Sequence, residues 1–83
     1  SFPAKLWDLI PKTSGFDLLS SFSENEYFQT RLYQRGRFVR YLQTDESQSP
    51  ERLPNMGISA AEPSLEDIYI YQDRMMSGES VHE

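Results

Sequence analysis

Four of the eight basic residues in this chain, Arg31, Arg35, Arg37 and Arg40, fall within ten consecutive positions, with Tyr33 interleaved and Tyr41 next to the last of them. Guanidinium groups pair with phosphate and tyrosine rings stack on bases, so such a segment carries the chemistry of a nucleic-acid contact. The same residue types serve a protein contact, or form a solvated strand face on which arginine stems cover tyrosine rings and acidic partners arrive from elsewhere. The formal net charge is −5, from 8 Lys and Arg against 13 Asp and Glu. That balance repels polyanions and favours a protein partner, so no nucleic acid is expected, and a small nucleic-acid-binding module built on these residues stands as the alternative.

Other chemistry is hard to assemble from this sequence. Nucleophilic catalysis needs a nucleophile held beside a base, yet there is no cysteine and the one histidine, His82, lies in a polar tail. The carboxylates Glu62, Glu66 and Asp67 gather where a helix begins, a place where negative charge serves the helix itself. The pairs Glu24/Glu26 and Asp45/Glu46 lie in turns with no third ligand nearby, which does not make a metal site. Gly15, Gly36, Gly57 and Gly78 are scattered and form no phosphate loop. No catalytic, cofactor or metal residue is assigned.

The elements that must position the arginines follow from periodicity and punctuation. Ala4 to Ile10 alternates as a first strand that Pro11 ends by removing a donor. Ser14 to Phe22 reads as a short helix, Ser14 capping it with Asp17 three residues on, and Ser23 to Glu26 closes it. Tyr27 to Gln34 and Phe38 to Thr44 alternate as the two arms of a hairpin turning at Arg35-Gly36-Arg37, which would put Arg31, Tyr33 and Arg35 on one strand face. Asp45 to Asn55, with Pro50 and Pro54, is expected as a loop, and Gly57 to Glu62 as a short strand. Ser64 then caps the strongest helix signal, with Leu65, Ile68 and Met75 expected in the core and Tyr71 facing outward as a contact, until Ser77-Gly78 closes it.

Residues 1–76 therefore make one α+β domain, followed by a polar tail over residues 77–83. The order is β-α-β-β-β-α, an antiparallel-rich sheet with two helices on one face, ferredoxin-like or a variant of it. Five Phe, five Tyr and one Trp supply core area in a chain only 37% hydrophobic. No apolar run approaches the roughly 20 residues that cross a bilayer, and no signal peptide leads the sequence. With no cysteine, a cytoplasmic home is expected. Because the chain starts without Met and enters an alternating run within a few residues, its start is expected to be a boundary inside a longer protein.

The stretch Gly57 to Tyr71, and within it Glu62-Pro63-Ser64-Leu65-Glu66-Asp67-Ile68-Tyr69, resembles the closing phrase of ATP-binding subunits of ABC-type transporters, notably those of exporters. In those subunits the phrase follows a small α+β region placed after the nucleotide-binding domain. Ala4 to Pro11 is similar to the strand that opens that region, and Arg35 to Arg40 fits the hairpin in its middle. The resemblance implies an accessory domain that neither binds nor hydrolyses ATP, with ATP and Mg held by an upstream domain. It implies as partners that upstream ATPase domain, a second ATPase subunit and a membrane-embedded transporter subunit, through which the chain would sit at the membrane periphery. Pairing of two copies of the chain is left open. The long Asp45 to Asn55 segment and the polar extension after Met76 depart from the pattern.

Overall fold

A computed structural model of the chain describes residues 1–76. The expected helix closure at Ser77-Gly78, the polar tail and His82 lie outside the described residues. Four strands form one antiparallel sheet: β1 (Lys5–Pro11), β2 (Leu32–Arg35), β3 (Phe38–Gln43) and β4 (Met56–Ala61). Their spatial order is β2-β3-β1-β4, so the first strand is central and β2 and β4 are the edges. This is the strand order of a ferredoxin-like sheet. The helices are placed differently: α1 (Leu18–Ser21) and α2 (Glu26–Arg31) precede β2, whereas α3 (Leu65–Tyr71) follows β4 and runs on into a π-helical turn over Gln72–Met76. Between β3 and β4 stands only a loop with a 3₁₀ turn at Pro50–Arg52, whose Pro50 and Leu53 are buried and pin it to the core.

The first arm of the hairpin is half helix, which corrects the expectation of a strand from Tyr27. Asn25 caps α2, its side-chain oxygen accepting from the Phe28 amide at 3.1 Å, and Glu26 places negative charge in the first turn. Phe28 and Leu32 are four apart as well as an even number apart, so one pair of buried residues satisfies both periods, and the cap decides for helix. The cap of α1 is likewise Asp17 and not Ser14: Gly15, at φ +84°, still turns the chain, and Asp17 Oδ1 accepts from the Ser20 amide. The expected turn is present at Gly36, at φ +63°, between a shorter β2 and β3.

Strand alternation sorts the core into two halves. Leu9, Leu32, Val39, Tyr41 and Met56 face α1, α2 and the 3₁₀ turn, with Leu18, Phe28 and Leu53 packed on them. Leu6, Tyr33 and Leu42 face the other way, where Ile70 and Tyr71 of α3 and Phe2 cover them. Helices thus lie on both faces of the sheet, not on one.

α3 is rotated by half a turn from its expected setting. Leu65 is 63% exposed, and Ile68 and Tyr69 also face solvent, whereas Asp67 is fully buried and Ile70 and Tyr71 are half-buried. Met75, the third expected core residue, is half-buried. Positions 65, 68 and 69 make one stripe at helical spacing and 67, 70 and 71 make another on the opposite side. Apolar spacing alone fits both stripes. The buried carboxylate selects between them.

Candidate functional site

The four arginines do not form a shared surface. Arg31 ends α2 and turns back on it, donating from Nη1 to the Tyr27 carbonyl at 3.0 Å and from Nε to Thr44 Oγ1 at 2.7 Å. Its guanidinium carbon sits 4.0 Å from the Tyr27 ring centroid, a cation–π contact. Arg35, at the end of β2, reaches α3 instead, pairing with Glu66 and donating from Nη2 to Ser64 Oγ at 2.8 Å. Arg37, in the turn between β2 and β3, is exposed and has no partner among the described residues. Arg31, Tyr33 and Arg35 therefore do not share a strand face, because Arg31 belongs to the helix.

Arg40 is buried in the middle of β3 and holds two carboxylates. Its Nε and Nη2 donate to Asp8 Oδ1 and Oδ2 at 2.8 and 3.1 Å, a bidentate pair across the β1–β3 seam. Its Nη1 donates to Asp67 Oδ2 at 2.8 Å, across the layer to α3. Tyr33, also buried, donates its hydroxyl to Asp67 Oδ1 at 2.7 Å. The Ser64 amide and hydroxyl complete the set on Oδ2 at 2.8 and 2.9 Å, the first being one arm of a capping box. Four donors thus converge on the Asp67 carboxylate, three on Oδ2 and one on Oδ1.

The electrostatics follow from that geometry. Burial alone would push the Asp67 carboxyl up, but the Ser64 amide, the Tyr33 and Ser64 hydroxyls and the Arg40 charge outweigh it and hold the group below the usual carboxylate range. Hydrogen bonding to Asp8 raises Arg40 against the opposing effect of burial. Burial, then the bond to Asp67, pushes the Tyr33 hydroxyl well above its ordinary value. Such a carboxylate stays ionised. Among the described residues, no group of three or more His, Asp or Glu is placed to hold a metal ion. No helix among them is long and apolar enough to cross a membrane.

The network gives the resembling phrase a physical content. Ser64 and Asp67 lock the helix, Glu66 pairs with Arg35, and Glu62 and Pro63 are exposed at the turn that leads from β4 into α3. Leu65 is not a core anchor but part of an outward stripe with Ile68 and Tyr69. Tyr71, expected as a contact residue, packs its ring edge-on against Phe2 at 5.6 Å between centroids. Asp8 was the residue the periodicity overlooked, although an ionised group between Leu6 and Leu9 in a central strand is itself a signal that a buried partner exists.

No protein family, no curated protein and no solved structure matches the chain.

Proposed function

We propose that this chain is a non-catalytic accessory domain at the C-terminal end of an ATP-binding subunit of an ABC-type transporter, working through protein contacts. The observation that carries the reading is the setting of α3. A polar lock of Arg40, Tyr33 and Asp67 holds the helix down, which leaves Leu65, Ile68 and Tyr69 free to face outward. Exposed apolar residues gathered on one helix face are the usual mark of a contact surface. The resemblance of Glu62 to Tyr69 to the closing phrase of such subunits supplies the kind of partner: the upstream ATPase domain, a second ATPase subunit or the membrane-embedded subunit. In this reading ATP and Mg belong to the upstream domain, and the protein works at the cytoplasmic side of the membrane. The dispersal of the arginines weighs against the nucleic-acid alternative, since Tyr33 and Arg40 are buried and Arg31 and Arg35 are engaged within the fold.

The test joins sequence to binding. The coding sequence preceding Ser1 should encode a phosphate loop, and in that full-length subunit Leu65→Glu with Tyr69→Glu should weaken pairing of the subunits or their recruitment to the membrane partner. Thermal unfolding of the domain should be unchanged. An unrelated upstream sequence, or pairing and recruitment indifferent to both substitutions, refutes the proposal.

A further inference from the structure

Two cations of this acidic chain are left without a partner by its own fold. Among the described residues, Lys12 and Arg37 are exposed and their side chains make no hydrogen bond or ion pair, whereas every other Lys and Arg holds a carboxylate, a carbonyl or a hydroxyl. Both stand at the same end of the sheet: Lys12 follows the last residue of β1, and Arg37 precedes the first residue of β3, its antiparallel neighbour. The turn that carries Arg37 is fixed, because the Gln34 side-chain amide donates to the Gly36 and Phe38 carbonyls at 2.9 and 3.1 Å.

These cations border a part of the sheet that α3 leaves open. Leu6, Asp8 and Ile10 alternate onto the α3 face of β1, and Leu42, Arg40 and Phe38 onto the same face of β3. α3 covers Leu6 and Leu42 and reaches Arg40 through Asp67, but neither Ile10, which is 46% exposed, nor the half-buried Phe38 packs into the apolar clusters beneath the helices. The Lys12 amide donates to the Asn55 carbonyl at 2.8 Å, in the register that pairs Ile10 with Gly57, so Lys12 emerges on that face as well. Arg35, also on it, is already paired with Glu66.

Gly57 lies beside Ile10 on this open face. A glycine inside a strand marks a bulge, a bend or a place where another molecule approaches closely. β4 pairs with β1 residue for residue through Gly57, without a bulge, and Gly57 does not share the positive φ of Gly15 and Gly36. A Cβ at this position would lie 3.5 Å from the Ile10 carbonyl oxygen and 4.0 Å from the Ile10 Cβ, ordinary contact distances, so neither backbone conformation nor packing calls for glycine. Close approach is the remaining reason. We infer that Ile10, Phe38 and Gly57, flanked by Lys12 and Arg37, form a docking patch for an acidic segment of another polypeptide, which seats an apolar side chain on Ile10 over Gly57 and sets carboxylates beside the two cations. Charge selects this occupant. Two unpaired cations attract a short acidic segment, whereas a nucleic acid would meet the repulsion of a chain of net charge −5 and make no use of Ile10. The patch is distinct from the outward stripe of α3, and the inference does not depend on the transporter reading.

Selection of short random peptides on the chain, followed by amide chemical shifts of the chain titrated with the peptides recovered, tests it. Those peptides should carry Asp or Glu around an aliphatic or aromatic residue, shift the Ile10, Lys12, Arg37 and Gly57 amides, and bind more weakly as salt rises from about 0.05 to 0.5 M. Lys12→Glu with Arg37→Glu, and separately Gly57→Val, should each weaken binding by about tenfold or more with the unfolding temperature unchanged. Gly57→Ala, whose Cβ has room, should keep the fold and weaken binding in the same direction, so a valine that disturbs the strand leaves the test intact. A selection that recovers no acidic peptide, shifts confined to the α3 stripe, or binding indifferent to these variants overturns the inference. So does single-stranded DNA that binds at the same amides more tightly than the peptides do.

Discussion

Asp67→Asn removes one charge and almost no volume from a side chain that is fully buried. The new amide keeps one oxygen, which can still accept from Tyr33, but its NH₂ replaces the oxygen that now accepts from the Ser64 amide, the Ser64 hydroxyl and Arg40. Donors then face a donor. Removing one partner of a buried ion pair costs about 3–5 kcal/mol, and the lower end applies because Arg40 keeps both bonds to Asp8. A loss of about 3 kcal/mol is large for a domain whose total stability is on the order of 4–12 kcal/mol. In urea, with a slope of about 1–1.5 kcal/mol/M, the midpoint should fall by about 2–3 M. Trp7 is the single tryptophan and bonds Gln43 at 2.8 Å within the sheet, so its fluorescence reports global unfolding. A double-mutant cycle with Arg40→Met should give a coupling of about 1–3 kcal/mol. A loss below about 1 kcal/mol at unchanged slope, with coupling near zero, would refute the claim that this pair sets α3 on the sheet. The acid limb carries the same information. Asp67 is held below its unfolded value, so its contribution is complete above a pH of about 3.9 and disappears as pH falls below that toward the folded value. In the Asn variant that part of the acid dependence should be gone.

Two further outcomes separate this account from a simple apolar helix face. Leu65→Ala should change stability by less than about 0.5 kcal/mol, since Leu65 is 63% exposed and both residues suit a helix; a loss of 2 kcal/mol or more in denaturant titration would put the side chain in the core. Tyr33→Phe should cost about 1.5–3 kcal/mol, the range for a hydrogen bond to a charged group. Tyr33 and Tyr41 are both raised, so the stability they supply is full below a pH of about 10 and is lost as pH climbs above it. Tyr33→Phe should remove part of that alkaline loss, and an unchanged alkaline limb would show that the hydroxyl is not held by Asp67.

The sheet was the most legible part of the sequence, because strand alternation and the Gly36 turn are local signals that tertiary packing has no reason to override. α2 was hidden. Tyr27 to Leu32 alternates well enough for a strand, and the deciding feature was a single Asn25 cap, which reads equally as the end of the preceding helix. The rotation of α3 was hidden for a different reason. Its two stripes have the same spacing, and a pattern search assigns the apolar one inward because burying a carboxylate normally costs more than exposing a leucine. Here the cost is met by Arg40 and Tyr33, which lie 27 and 34 residues earlier in the chain. No window of local sequence contains both halves of that arrangement.

The arginine cluster failed as a surface by the same physics that made the lock. Arginines close in sequence but carried by a helix end, a strand end and a strand centre diverge in space, and Arg31, Arg35 and Arg40 each found the carboxylate, carbonyl, hydroxyl or ring that its own element brought within reach. In an acidic chain there are more carboxylates than cations, so a buried guanidinium competes for partners on favourable terms, and Arg40 takes two. Among the features the network leaves outward are the apolar stripe of α3, Arg37 and the edge strand β4.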